Sequence, residues 1–235
     1  MSTQARRTLY LHVGAPKCAS TTLQSALAEY RGGEMTFPEV AAHSISMKAG
    51  VHWLTELEGY VEPVKAAADW QDRDCILSHE TFYAHFDRTF PILRELFPSH
   101  LLRVLIIERD VNNQIRSTLA QWVRTCMQIP TSRQRLEHYR QIGPAEFKAQ
   151  MEALQQKART QWTEVADSYV LGDVRDVAQL ASEWLGDSAI IKHIGETGRK
   201  NISLSEATVE KMLAELDTFN GTPEEWRALA RKFEG

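Results

Sequence analysis

Residues 9–24, LYLHVGAPKCASTTLQ, decide the fold. Leu9–Val13 is a short apolar run and reads as a buried strand. It passes into Gly14-Ala15-Pro16-Lys17-Cys18-Ala19-Ser20, a turn-like stretch. Beyond it, Leu23, Ala26, Leu27 and Tyr30 fall at i, i+3, i+4 and i+7, one apolar stripe of a helix that Gly32-Gly33 is predicted to stop. A loop placed between a buried strand and a helix N-terminus suits an anion. The first helical N–H groups lack intrahelical partners, and the helix dipole puts partial positive charge there. Gly14 lets a ligand approach the backbone closely. Lys17 adds a full charge, and Ser20, Thr21 and Thr22 add hydroxyl donors.

The same alternation continues outward. Cys75–Ser78 reads as a second buried strand ending at His79-Glu80, and Phe90–Phe97 as a short helix closed by Pro98. Leu101–Glu108 (LLRVLIIE) is continuous and apolar, the pattern of a parallel strand covered on both faces. After Arg109-Asp110 comes a helix with the stripe Ile115, Leu119, Trp122, Cys126. Met151–Val165 is helical in pattern, Ser168–Leu171 reads as a strand, and Val177, Leu180, Ala181 and Leu185 mark another helix. Ala189–Ile194 is read as a further strand, followed by a basic loop, Gly195–Asn201, and two closing helices. The last opens on Thr222-Pro223-Glu224-Glu225, a capping-box start. Strands alternating with helices predict an α/β fold with a central parallel sheet flanked by helices. No repeat or linker interrupts residues 1–235, so one domain is expected. Met35–Asp69 and Met127–Gln150 carry no readable code, and whatever specificity the protein has is expected there.

Composition narrows the classes. The chain has 235 residues, 43% hydrophobic and 25% charged, near the averages of globular proteins. A net charge of -4 lacks the basic excess of a nucleic-acid binder, although a local site can still hold an anion. The three cysteines, Cys18, Cys75 and Cys126, have neither disulfide-framework nor zinc spacing. The Leu9–Val13 run is too short for a signal-peptide core or a membrane span. A soluble cytoplasmic protein is expected, with no membrane span and no nucleic-acid partner. Its oligomeric state is open.

The order of residues in the loop discriminates between anion-binding motifs. A nucleoside-triphosphate loop places its Lys directly before the hydroxyl residue. Here Lys17 stands three positions before Ser20, with Ala19 in between. The stretch instead resembles the 5′-phosphosulfate-binding loop of sulfotransferases that use 3′-phosphoadenosine 5′-phosphosulfate (PAPS), Pro-Lys-x-Gly-[ST]-[ST]. Pro16, Lys17, Ser20 and Thr21 match it. Ala19 departs from the usual Gly, and Thr22 occupies a position that is aromatic in many cytosolic members. Leu11–Lys17 with Thr21-Thr22-Leu23-Gln24 looks most like bacterial members. The resemblance implies a P-loop-like sulfotransferase architecture. It also implies a cofactor site made of Gly14, Pro16, Lys17, Cys18, Ala19, Ser20, Thr21 and Thr22.

Two further stretches resemble the family in the expected order. Arg109 ends the strong strand, and Ser117 follows eight residues later; in the family such a pair binds the cofactor's 3′-phosphate. Gly198-Arg199-Lys200-Asn201, with Ser203, resembles the late basic loop that closes over the same phosphate, which gives Arg199, Lys200 and Asn201 that role.

The activity implied is in-line sulfuryl transfer from PAPS to a hydroxyl or amine of a small-molecule, lipid or carbohydrate acceptor, releasing adenosine 3′,5′-bisphosphate (PAP). Such chemistry rests on positioning and charge stabilisation. Lys17 is placed to meet charge on the departing phosphate. Glu80, with His79 second, is the expected general base; adjacent strand residues face opposite ways, so one of the two reaches the site. His12 is read as structural, and Trp53 as a candidate wall of the acceptor or adenine pocket. No metal is expected, since the sequence has no HExxH, no Cys/His cluster and no Walker-B acid apart from Asp110, which can imitate one. Two other readings stay open: a P-loop kinase or nucleotide hydrolase, and a non-catalytic nucleotide-binding protein on the same fold.

Overall fold

The computed structural model describes residues 7–15, 17–30, 74–78, 80–126, 129–197, 206–218 and 221–232. The expectations for Pro16, Met35–Asp69, Trp53, His79 and the basic loop at 198–203 lie outside the described residues. By their contacts the residues group into two compact units. The first is Met1–Arg109 with Gln155–Asn201, and the second is Asp110–Leu154 with Ile202–Gly235.

The first unit is built on four parallel strands, β1 (Thr8–Gly14), β2 (Cys75–Ser78), β3 (Leu101–Glu108) and β4 (Ser168–Asp173), in the order β2-β1-β3-β4. All four lie where the apolar runs predict them. The two longest runs take the two central places, β1 and β3, and there Leu11, Val13, Val104, Leu105, Ile106 and Ile107 are wholly buried. Both faces of such a strand are covered, so its sequence is continuous rather than alternating. β4 is an edge strand, and its Tyr169 and Leu171 are exposed accordingly.

Helix α1 (Ser20–Glu29) buries Leu23, Ala26 and Leu27 of the expected stripe and ends where Tyr30 turns extended. A single helical turn, α2 (Thr81–Ala84), follows β2. Helix α3 (Phe86–Leu96) begins four residues before the expected start at Phe90.

The second unit holds α4 (Val111–Thr125) and the first part of α5 (Pro130–Val165), which from Gln155 belongs to the first unit. Residues 130–150, which carry no readable code, are therefore helical apart from the break at Gly143. In α4, Leu119 and Cys126 are buried as expected, but Gln114, Thr118, Ala120 and Val123 share the interior while Ile115 and Trp122 are only partly covered. The strand expected at Ala189–Ile194 is a correction. After α6 (Val177–Leu185) the chain forms helix α7 (Ala189–Thr197). A β-branched run suggested extended chain, but the burial period decides: Ile190 and Ile194, four apart, are buried, while Ile191 is exposed. Asp187 fixes the start by accepting from the Ala189 amide at 2.8 Å.

Back in the second unit, α8 (Glu206–Asp217) and α9 (Pro223–Lys232) supply Met212, Leu216, Trp226 and Leu229 to a core shared with Leu119, Val123, Leu136 and Phe147. The capping box of α9 forms as read. The Thr222 amide donates to Glu225 Oε2 at 2.9 Å, and the Glu225 amide donates to Thr222 Oγ1 at 3.3 Å.

Within α5 the backbone breaks at Gly143, with φ 81° and ψ 164°. That region is open only to glycine. A methyl there would meet nothing within 4 Å, so the penalty for a side chain is purely conformational. Gly143→Ala is expected to destabilise the protein by about 1–3 kcal/mol, read as a lower midpoint in urea unfolding.

Candidate functional site

The register of the sheet brings the expected residues to one edge. His12 pairs with Ser78 across β1–β2, Gly14 with Ile107 across β1–β3, and Glu108 with Asp173 across β3–β4. The strands are parallel, so the turns leaving Gly14, Ser78, Glu108 and Asp173 all emerge at their C-terminal ends, where ligands of open α/β sheets gather.

The loop after β1 is tight. The Ala15 amide still donates to the Ile107 carbonyl at 3.3 Å, and the Cys18 amide folds back on the Ala15 carbonyl at 3.2 Å. Lys17 and Ala19 both take the left-handed conformation, with φ 69° and 58°. Left-handed backbone costs a residue with a side chain roughly 1–2 kcal/mol. Two such residues in three positions store strain of the kind found at functional sites. It also gives a physical reason why Gly is the residue usual at the Ala19 position in the motif the loop resembles. Ala19 is the N-cap of α1 and no side chain caps that end.

His12 lies wholly buried beneath the loop. Its Nδ1 stands 2.7 Å from Ser78 Oγ, which is also fully buried. A methyl on Gly14 would come within 2.7 Å of both His12 Nε2 and Ser20 Oγ, so only glycine fits between the ring and the hydroxyl. Gln24 of α1 donates to the Ser78 carbonyl at 3.2 Å and ties the helix to the end of β2. Ser20 itself is 1% exposed. Its hydroxyl is placed to favour a charged Glu80 but makes no hydrogen bond of good geometry. A buried hydroxyl so poorly engaged is a donor suited to an incoming anion.

Glu80, two residues beyond β2, is half-buried, and its carbonyl accepts from the Tyr83 amide at 3.3 Å. Burial raises its carboxyl above the usual range, while the Lys17 charge and the Ser20 hydroxyl pull it back down. Lys17 and Glu80 thus face one another electrostatically. Cys18, buried between two strained neighbours, has its thiol pushed up to about 12 by burial, with Arg109 pulling it down and Glu80, Glu108 and Asp173 pushing it further. It is a neutral packing residue here. Arg109, Glu80, Glu108 and Asp173 thus all lie close enough to Cys18 to act on its thiol.

Arg109 is half-buried at the end of β3, and Gln155 Nε2 donates to its carbonyl at 3.0 Å. Thr21 is exposed and Thr22 half-buried on the first turn of α1. Ser117 lies in the second unit, half-buried on the second turn of α4. Asp110 caps that helix, accepting from the Asn113 amide at 3.0 Å, a structural use of the acid that could imitate a magnesium ligand. Among the described residues no group of three His, Cys, Asp or Glu side chains is arranged to hold a metal ion, and no helix is long and apolar enough to cross a membrane. None of the three cysteines forms a disulfide. The pattern reading missed Gln24, Ser78 and Gln155, whose bonds join residues 54 and 46 apart in the chain.

No family model matches the chain, and no curated protein does. Among solved structures, a sulfotransferase from Alicyclobacillus acidocaldarius is similar. The alignment covers 97% of this chain and 96% of that one, at 17% identity and a TM-score of 0.48.

Two outcomes follow from this geometry. Ala19→Gly is expected to raise stability by about 1 kcal/mol by relieving left-handed strain, seen as a higher urea midpoint. Glu80→Gln is expected to be more stable than the parent at neutral pH. A carboxyl whose folded pKa is raised destabilises the folded state as pH climbs through the ordinary carboxylate range and beyond, and it carries no penalty below that range. The difference between variant and parent should therefore vanish near pH 3–4, which pH-dependent unfolding measures. A constant difference across pH would contradict it.

Proposed function

We propose that this protein is a PAPS-dependent sulfotransferase acting on a hydroxyl or amine of a small-molecule, lipid or carbohydrate acceptor. The observation that carries the reading is the strained Lys17–Ala19 turn. It sits above a glycine cradle and beside a poorly engaged buried Ser20 hydroxyl, with the Lys17 charge felt at Glu80 and the Arg109 charge felt at Cys18.

The residues fit the cofactor's two ends. Gly14, Lys17, Ser20 and the start of α1 would hold the 5′-phosphosulfate, and Arg109 would hold the 3′-phosphate as a permanently charged, bidentate donor. When bound, PAPS supplies the sulfuryl group and departs as PAP. Lys17 opposes the negative charge that grows on the bridging oxygen of the departing phosphate. Glu80 accepts the proton released as the acceptor bonds to sulfur. Its raised pKa makes it a stronger base than an exposed glutamate, and Lys17 and Ser20 keep it ionised enough to act. An anion arriving on Lys17 shares that counter-charge, which strengthens Glu80 as a base when it is needed. A reducing compartment such as the cytoplasm suits the three unbridged cysteines.

Calorimetry tests the reading directly. PAP is expected to bind without Mg²⁺ and to outcompete ATP–Mg²⁺; the reverse order would establish a nucleotide kinase or hydrolase instead. In a transfer assay with labelled PAPS over an acceptor panel, Lys17→Ala should lower turnover by roughly 10²–10³-fold and weaken PAP binding. Near-normal turnover in that variant would contradict the mechanism.

A further inference from the structure

This inference rests on the role proposed for Arg109. The last pair of the β3–β4 ladder is Glu108 with Asp173, and the last of the β1–β3 ladder is Gly14 with Ile107. Arg109 is thus the first residue of β3's chain beyond both ladders. Its main chain needs another anchor if its guanidinium is to meet a phosphate in fixed geometry.

That anchor is one face of α5. Gln155, Arg159 and Trp162 recur at i, i+4 and i+7 and so line up along the helix. Gln155 Nε2 donates to the Arg109 carbonyl at 3.0 Å. Arg159 Nη2 donates to Glu108 Oε2, and the Tyr83 hydroxyl donates to Glu108 Oε1 at 3.2 Å. Trp162 Nε1 donates to the Phe82 carbonyl at 3.0 Å, on the turn that follows Glu80. Gln155 and Glu108 are each 9% exposed and Trp162 is fully buried, so water competes little for the Gln155 and Trp162 bonds, while Arg159 keeps part of its side chain in solvent. The carboxylates at the ends of β3 and β4 are both engaged by arginines other than Arg109. Glu108 is held by Arg159, and Asp173 by Arg175 Nε at 2.7 Å. Both Glu108 oxygens are thereby engaged, which keeps that acid from collapsing onto Arg109, whereas Asp173 still feels the Arg109 charge.

We propose that Gln155 and Arg159 are positioning residues that aim Arg109 and thereby set the preference of the site for nucleotides carrying a 3′-phosphate. Gln155 fixes the carbonyl of Arg109, and Arg159 holds the neighbouring acid out of its way. A displacement of about 1 Å in such a constellation can cost on the order of 10²-fold.

The test compares the Kd of PAP with that of AMP, which lacks the 3′-phosphate, by calorimetry on the parent, Gln155→Leu, Arg159→Met and Arg159→Lys. Both ligands are titrated into the same preparation, so a partly unfolded fraction cancels in the ratio. The parent should prefer PAP. Gln155→Leu and Arg159→Met should each shrink the PAP/AMP preference tenfold or more while AMP affinity stays within about twofold, and Arg159→Lys should recover part of it. If the parent prefers PAP and both variants keep the full ratio, or lose affinity for both nucleotides equally, the positioning role is overturned and the sulfotransferase reading stands. If the parent has no preference for PAP, the role of Arg109 itself falls, and this inference with it. Should Arg159→Met not fold, Gln155→Leu decides alone.

Discussion

Parallel pairing is the constraint from which the site follows. Strands that run the same way must deliver their exits at one edge, and β1, β2, β3 and β4 do so with their last residues paired or nearly paired. Lys17, Glu80 and Arg109 are far apart in the chain, yet each lies within three residues of a strand end. An antiparallel arrangement of the same strands would send at least one of them to the opposite pole. The central place of β1 matters as much. Its loop has β2's exit on one side and β3's on the other, so Lys17 lies between the exits that carry Glu80 and Arg109.

The loop is also where the molecule accepts local cost. Left-handed Lys17 and Ala19 and a buried hydroxyl with no well-formed bond are each unfavourable alone. They persist because the ground beneath is fixed: His12 fills the space under Gly14 and meets Ser78, and Gln24 ties α1 to the end of β2. Glu80 is held between the same opposing forces. Burial favours its neutral form, and Lys17 favours the charged one. A carboxyl kept near this balance is sensitive to any further charge that approaches the lysine, without any moving part.

The fold was legible because its strands are buried on both faces. Continuous apolar runs at Leu9–Val13, Cys75–Ser78 and Leu101–Glu108 have no polar phase to confuse, and the observed strands match them to within a residue. The misreading at Ala189–Ile194 has the same root. Two adjacent isoleucines look alike in a strand and in a half-buried helix, and only the burial of Ile190 and Ile194 with the exposure of Ile191 separates the two. The 130–150 stretch hid its helix for a different reason. Gly143 and Pro144 are breakers by local rule, and they do break the run, but helix resumes at once on the far side of the kink.

The site was legible only as far as its chemistry is local. Lys17, Ser20 and Arg109 stand out because a strand end followed by a charge and hydroxyls is a pattern within a few residues. Gln155, Arg159 and Trp162 carry no such mark. Their partners lie 46, 51 and 80 residues away, and a glutamine, an arginine and a tryptophan on a mostly polar helix read as ordinary surface and core. A hydrogen bond from such a side chain to a strand-end carbonyl leaves no trace in sequence spacing, because any donor of the right length on that helical face would serve. Residues that bind announce themselves by type, whereas residues that aim are defined by where the fold puts them. This is why Arg109 stands out in the chain as a candidate and the helix that holds its carbonyl does not.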